Sequence, residues 1–267
     1  MPPHDGCPAG ANRHESLRVL YSRGFSSQQL GQAVAAHDAA LAEGRDVLKD
    51  GDRTAVTRVR CGDVWAAAKE YRGTERLAAL KRLFGVCRLS RAWHGARLLR
   101  RKDIAMPEVL AVVRRGTRGY LMTQFLEGTA ALNSLLLNRF VGDLSGEELA
   151  AKQGLVEQLG AWLRGIHDKS VYHDDWSAKN VRAGDQAGRW AFHLLDFESV
   201  SAWKWRSLTY RRRVKNLAQI LDPRSGLTKP DGERLLATYA AGDSAFVSKS
   251  FHRDVERAIR DRIEGQL

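Results

Sequence analysis

Apolar and polar positions change rhythm several times along this chain. Residues 26–43 (SSQQLGQAVAAHDAALAE) are alanine-rich and predict a helix. From Val47 the period shortens: Val47–Lys49 and Thr54–Val59 flank Asp50-Gly51-Asp52, and an Asp-Gly pair between β-prone runs predicts a hairpin. Cys61-Gly62-Asp63 gives a second turn, and Val64–Tyr71 a third strand. Glu75–Phe84 and Ser90–Lys102 then carry apolar residues at three- and four-residue spacing, predicting two helices before Pro107. Val109–Arg114 and Tyr120–Gln124, joined by Arg115–Gly119, predict another hairpin.

From about Gly128 the pattern turns helical. Ser145 with Glu148 three residues on is a helix-start signal, and Leu149, Val156, Leu159, Trp162, Leu163 and Ile166 share one face of the helix that follows. A short β-like insertion is expected over Val181–Arg182 and Trp190–Phe197, around a Gly184–Gly188 turn, and helix again from Arg211. Residues 1–25, which open on a polar, Pro/Gly-rich stretch, are expected to be a disordered N-terminus. The simplest reading is an α+β chain of two lobes. A small β-rich one spans 26–127 and a helical one 128–267, joined near Glu127-Gly128.

Composition narrows the class. A chain of 267 residues buries a sizeable core as one large domain or two small lobes. No apolar run approaches the roughly 20 residues that span a bilayer. The opening MPPHDGCPAGANRHES lacks the apolar core of a signal peptide, so a cytoplasmic protein is expected. Cys7, Cys61 and Cys87 show neither a disulfide framework nor metal-ligand spacing, and reduced thiols are expected. Lys and Arg outnumber Asp and Glu by 43 to 31, a net charge of +12. The basic residues concentrate in Arg97–Lys102 and Lys204–Lys215. Such clusters suit nucleic acid, an anionic membrane face or a phosphorylated substrate. Nucleic acid has charge alone in its favour, without an aromatic RNP pattern, helix-turn-helix signature or zinc finger.

The chemistry concentrates in YHDDWSAKNV, Tyr172–Val181. His173, Asp175 and Asn180 satisfy the H-x-D-x-x-x-x-N spacing of a kinase catalytic loop, in which the Asp orients the acceptor hydroxyl and takes its proton while the Asn holds magnesium. Asp174 misses the five-residue offset to Asn180, so Asp175 takes the base role. Downstream, His193-Leu194-Leu195-Asp196-Phe197-Glu198 ends an apolar strand on an acidic residue placed to hold Mg²⁺ at phosphates. Glu198 stands where the D-F-G pattern has glycine. Upstream, alternation puts Trp65, Ala67, Lys69 and Tyr71 on one strand face, where Lys69 would neutralise nucleotide phosphates. Backbone groups of Gln124–Leu126 are placed to bond adenine, with Met122 at the pocket border. Two standard parts are missing. No G-x-G-x-x-G covers the phosphates, since the first hairpin offers only DGDRT. The helix Ser90–Lys102 has no carboxylate for Lys69, which leaves Glu75 as its candidate partner.

Taken in order, AAAKEYR, SRAWHGARLLRRKDIAMPEVLAV, YLMTQFLEG, YHDDWSAKN, LLDFES, RRRVKNLAQI and RLLATYAAG resemble the lipopolysaccharide kinase family (Kdo/WaaP, InaA-like) from about Val47 to Tyr239. The resemblance implies a two-lobed protein-kinase-like fold with an ATP-binding first lobe. It implies ATP and Mg²⁺ (or Mn²⁺) as cofactors, ATP contact by Lys69, catalysis by Asp175 and metal binding by Asn180 and Asp196. Such enzymes phosphorylate sugars of the lipopolysaccharide inner core at the cytoplasmic face of the inner membrane. Only about 15 residues separate Asp196 from the next predicted helix, leaving little room for a peptide-docking platform. The basic group Arg206, Arg211, Arg212, Arg213 and Lys215 would then meet an anionic glycolipid or saccharide, or the anionic membrane surface. The alternatives are a kinase of another small molecule or of protein Ser/Thr residues, and a catalytically inactive kinase-like binding module.

Overall fold

The structure, a computed structural model, describes residues 17–72, 87–202, 207–244 and 246–265. Its contacts divide the chain into two compact units. The first takes residues 17–72 and Val109–Thr123, the second 87–108 and Gln124 onward. The predicted helix Glu75–Phe84, and with it Glu75, lies outside the described residues, as does Arg206.

In the first unit, β1 (Leu17–Ser22) is followed by α1 (Ser27–Glu43), β2 (Val47–Gly51), β3 (Thr54–Cys61) and β4 (Val64–Tyr71). The helix starts on a reciprocal cap: Ser26 Oγ accepts Gln29 N–H at 3.2 Å and Gln29 Oε1 accepts Ser26 N–H at 2.9 Å. It ends on Gly44 in the left-handed conformation. Chain segment 87–108 belongs to the second unit and contributes α2 (Arg88–Arg101) there, rather than to the first lobe as the sequence reading placed it. The chain then returns to the first unit as β5 (Val109–Arg115) and β6 (Arg118–Gln124). The sheet runs β1-β5-β6-β4-β3-β2.

Leu17–Ser22 corrects the expected disorder over 1–25: this run pairs antiparallel with β5 at the sheet edge. Half of its side chains are exposed and none is fully buried, although Leu17 packs against the core, so the strand's order rests largely on backbone pairing.

One face of the sheet is sealed by α1. Leu30, Ala33 and Val34 pack with Val59, Ala66, Ala68, Leu110, Val113, Tyr120 and Met122. Beside them His37 Nδ1 lies 2.7 Å from Thr57 Oγ1, and Glu70, 1% exposed, takes Arg72 Nε at 2.9 Å and lies 3.5 Å from His37 Nε2. Burial pushes the Glu70 carboxyl up, but bonds from His37 and Arg72 and the charge of Arg118 outweigh it and bring it to about 2.

The second unit continues with β7 (Ala130–Ala131), α3 (Leu132–Arg139), α4 (Gly146–Asp168), β8 (Val171–His173), β9 (Val181–Gln186), β10 (Arg189–Leu194) and β11 (Val200–Ala202). It closes with α5 (Tyr210–Ile220), α6 (Lys229–Ala240) and α7 (Lys249–Glu264). Ser145 caps α4 as expected, its side chain accepting Glu148 N–H. Of the face expected to be apolar on α4, Val156, Leu159, Leu163 and Ile166 are buried, joined by Leu155, whereas Trp162 is half-buried and Leu149, in the first turn, is exposed. Gly160 brings α4 against α6 so closely that a Cβ there would lie 2.6 Å from the Leu235 carbonyl. The insertion forms as β9 and β10 in register, Val181 opposite Leu194, while Phe197 turns out of the strand into a single 3₁₀ turn.

Candidate active site

Two short antiparallel pairings deliver the catalytic loop. β8 pairs with β11 through His173 and Val200, and β9 with β10 through Val181 and Leu194. Between β8 and β9 the chain makes a 3₁₀ turn, Ala178–Asn180, which folds Asn180 back onto Asp175. Asn180 Nδ2 donates to the Asp175 carbonyl at 2.8 Å and to its Oδ2 at 3.1 Å. Asn180 N–H donates to Ser177 O and its carbonyl accepts Leu195 N–H at 2.8 Å. The five-residue spacing therefore puts a carboxylate and an amide in contact.

His173 is fully buried and joins this loop to the next one. Its Nδ1 accepts Asp175 N–H at 3.1 Å. Its Nε2 lies 3.2 Å from the Leu195 carbonyl and 3.0 Å from that of Asp196. A backbone donor on Nδ1 assigns the proton to Nε2, and burial holds the ring's pKa below its ordinary value, which keeps it neutral. Asp196 adopts φ 58° and ψ 62°, the left-handed region that non-glycine residues enter at a cost. Ser199 Oγ lies 3.4 Å from Asp196 Oδ2.

The loop's backbone is held from beneath by two amides that the sequence reading passed over. Asn216 and Gln219 on α5 are both buried. Asn216 Nδ2 donates to the His173 carbonyl at 2.7 Å, and Gln219 Nε2 to the Asp174 carbonyl at 2.5 Å. Gln219 Oε1 accepts Trp176 N–H at 3.1 Å. Their signal was available: two amides three residues apart, on a helix face shared with Val214, Leu217 and Ile220. Asp174 itself turns outward, its side chain 71% exposed and 3.6 Å from Lys215 Nζ, so Asp175 alone of the two carboxylates meets Asn180.

Among the described residues no group of three His, Cys, Asp or Glu side chains converges as a metal cage. The Asn180 amide carbonyl and the Asp196 carboxylate are hard oxygen donors. They fit Mg²⁺, which usually takes one or two protein oxygens and completes its shell with phosphates and water.

Residues 40–239 match the lipopolysaccharide kinase (Kdo/WaaP) family, well over half of the chain. This chain belongs to that family. Its fold matches a solved structure titled WaaP in complex with acyl carrier protein, with a TM-score of 0.57 and 18% identity over 90% of this chain and 99% of that one. The kinase-like fold expected from the sequence is thereby shown: an antiparallel sheet with a helix, then a largely helical part. A 129-residue stretch is 34% identical to a probable bifunctional tRNA threonylcarbamoyladenosine biosynthesis protein of Haloarcula marismortui. That stretch is 47% of this chain and 22% of the relative, so the match spans under a quarter of the relative's length.

The remaining site positions of this Kdo/WaaP-family chain distribute as follows. Lys69 alternates with the buried Ala68 and Glu70, so it stands on the sheet face away from α1, its Nζ 5.2 Å from the Tyr71 ring. Met122 is fully buried under α1, on the opposite face. It therefore does not share Lys69's face of the sheet, which its neighbours Leu121 and Thr123 occupy by alternation. Gln124 N–H donates to the Glu108 carbonyl at 2.8 Å, and the Leu126 carbonyl accepts Thr129 Oγ1 at 2.8 Å.

The basic segment after Asp196 splits in two. Arg213 is buried and structural, binding Asp168 at 3.0 Å, the Tyr239 hydroxyl at 3.2 Å and the His167 carbonyl at 3.3 Å. It is not available to a ligand, which corrects its place in the proposed anion-binding group. Arg212 and Lys215 instead lie over the Tyr172 ring, at 5.2 Å and 5.7 Å from its centroid. The Tyr172 hydroxyl and Asp174 raise the Lys215 pKa, keeping it a permanent cation.

Proposed function

We propose that this kinase-family protein transfers the γ-phosphate of ATP to a hydroxyl of an anionic saccharide, a lipopolysaccharide inner-core sugar or a related glycolipid. The observation that carries the transfer reaction is the single neutral histidine, His173, bonded to both the Asp175 loop and the Asp196 carbonyl. That arrangement fixes a candidate base and a candidate metal ligand within one unit. In this reading Lys69 of the first unit contacts the ATP phosphates, and backbone of the 124–126 segment, which belongs to the second unit, reads adenine. The groups of that segment already bonded within the protein, Gln124 N–H above all, are not the ones that read the base.

Asp175 accepts the proton of the attacking hydroxyl as its oxygen bonds to the γ-phosphorus, the bond from that phosphorus to the bridging oxygen breaks and ADP leaves, while Asn180 holds the Asp175 carboxylate in place. Mg²⁺ held by Asn180 and Asp196 would neutralise charge on the phosphates. The acceptor class is supported by the half-buried Arg212 and the exposed Lys215, cations that lie over Tyr172 beside the catalytic loop. A peripheral association with an anionic membrane surface on the cytoplasmic side belongs to the same reading. No described helix is long and apolar enough to cross a membrane.

The test is incubation with ATP, Mg²⁺ and delipidated core oligosaccharides, with mass spectrometry of the products. One added phosphate, absent with Asp175→Ala and with Asp196→Ala, is the expected result. Phosphate appearing only on a protein or another small molecule would replace the acceptor assignment, and nucleotide binding without transfer would mark a binding module.

A further inference from the structure

Two features departed from the kinase pattern in the sequence. Helix α2 lacks any carboxylate, and Glu198 stands where a glycine is usual. In the structure these two departures meet. Arg88, the first residue of α2, donates from Nε to Glu198 Oε2 at 2.8 Å and from Nη2 to Glu198 Oε1 at 2.6 Å. This is the two-pronged geometry in which an arginine fork fixes a carboxylate's orientation as well as its position. The Glu198 side chain is 7% exposed, so its charge is held in a largely water-excluded place.

A cation on the first residue of a helix opposes the helix dipole, and α2 has no acidic residue in its first turn and no side-chain cap from Cys87. Glu198 supplies the negative charge which that end lacks. Two turns further along, α2 rests on the same segment through bare backbone. A Cβ added at Gly95 would lie 1.8 Å from the Phe197 carbonyl oxygen and 2.8 Å from its carbon. The helix therefore grips the 3₁₀ turn Phe197–Ser199 at both residues that follow Asp196, and Asp196 is the left-handed residue that starts this turn.

We propose that Arg88 is a positioning residue for the metal-binding carboxylate. Through the Glu198 fork, and with Gly95 against Phe197, α2 holds the turn that keeps Asp196 in its left-handed conformation, presenting its carboxylate to the cation. The polarity is the reverse of a lysine on the sheet paired with a glutamate on the helix: here the helix brings the cation and the turn brings the carboxylate. This rests on the phosphotransferase reading of Asp196 given above.

The experiment compares the full chain with Arg88→Ala, Arg88→Lys, Glu198→Gln and the Arg88→Ala/Glu198→Gln double variant. Mn²⁺ binding in the presence of ADP is followed by electron paramagnetic resonance. Hydrogen exchange of residues 196–202 is measured without metal or nucleotide, and melting temperature alongside. Each single variant is expected to weaken Mn²⁺ about tenfold or more and to speed exchange in that segment. The double variant should be no worse than either single, because the two side chains act as one unit. Lysine at position 88 should restore part of the affinity, since it keeps the charge but not the fork. Unchanged Mn²⁺ affinity and exchange with a lowered melting temperature would overturn the proposal and leave the pair a structural staple. Additive losses in the double variant would overturn it as well. A wild-type chain that binds no Mn²⁺ with ADP would overturn the phosphotransferase reading itself, and this proposal with it.

Discussion

His173 Nε2 stands 3.0 Å from the carbonyl oxygen of Asp196, while the opposite ring nitrogen receives the backbone N–H of Asp175. A neutral imidazole is the side chain that offers one donor and one acceptor on opposite edges of a flat ring. Replacing it with an apolar residue of similar size leaves the Asp175 N–H and the Asp196 carbonyl without this partner in a buried place. His173→Leu is expected to lower stability by about 1–3 kcal/mol, read as a shift in the urea midpoint. His173→Gln, which keeps a donor and an acceptor in other positions, should lose less.

Asp175→Ala removes the candidate base from a half-exposed position whose loss disturbs little packing. Turnover should fall by about 10²–10⁴ with the melting temperature almost unchanged. Asn180→Ala removes both a candidate metal ligand and the amide that orients Asp175, so activity should fall and the requirement for Mg²⁺ rise. Steady-state rates across a magnesium titration check both.

Within the basic segment, Arg213 and Lys215 should behave oppositely. Arg213→Gln breaks bonds to Asp168, Tyr239 and two backbone carbonyls in a buried setting, and should lower the melting temperature clearly. Lys215→Gln, together with Arg212→Gln, removes charge above Tyr172 from one exposed and one half-buried position. It should leave the melting temperature within a degree or two and raise KM for an anionic acceptor, with kcat little altered.

Acid should loosen the second unit through His167. This ring is fully buried between Tyr239 and Asn216, and burial together with the nearby Arg213 charge lowers its pKa from 6.5 to about 3. The unfolded chain takes up a proton near pH 6.5 and the folded chain only near 3, so stability is complete above 6.5 and declines as pH falls toward 3. The slope for this one group is about 1.4 kcal/mol per pH unit. His173 and His193, also depressed by burial, add to it. The difference between wild type and His167→Gln over pH 6.5 to 5 therefore isolates its share in urea titrations.

Much of this protein was legible before its structure. The helix beginning after Ser145 was set by capping chemistry, which sequence displays directly, and the first hairpin formed as expected, but its turn is Asp52-Arg53, with Asp50 and Gly51 still paired to Ala55 and Thr54. The His173, Asp175 and Asn180 contacts followed from a spacing in a single loop. What stayed hidden depended on partners distant in the chain. Leu17–Ser22 becomes a strand only because β5, some 90 residues later, presents an edge. Arg213 and Arg212 are neighbours in a basic run, and only helical phase against Tyr239 and Tyr172 separates a buried structural arginine from a half-buried one. The Arg88–Glu198 fork joins residues 110 apart, and in the sequence only its two ends showed, as a helix without a carboxylate and a glutamate in place of glycine.

Gly95 sets a spacing by omission. Its approach to the Phe197 carbonyl admits no added carbon, whatever the polarity of the side chain that would carry it. The fork seven residues earlier works differently, since its charges can be exchanged, shortened or weakened by degrees. Helix and turn thus share one contact with a hard stop at one end and an adjustable screw at the other. Variation among related chains should accumulate at the screw, with the stop left alone.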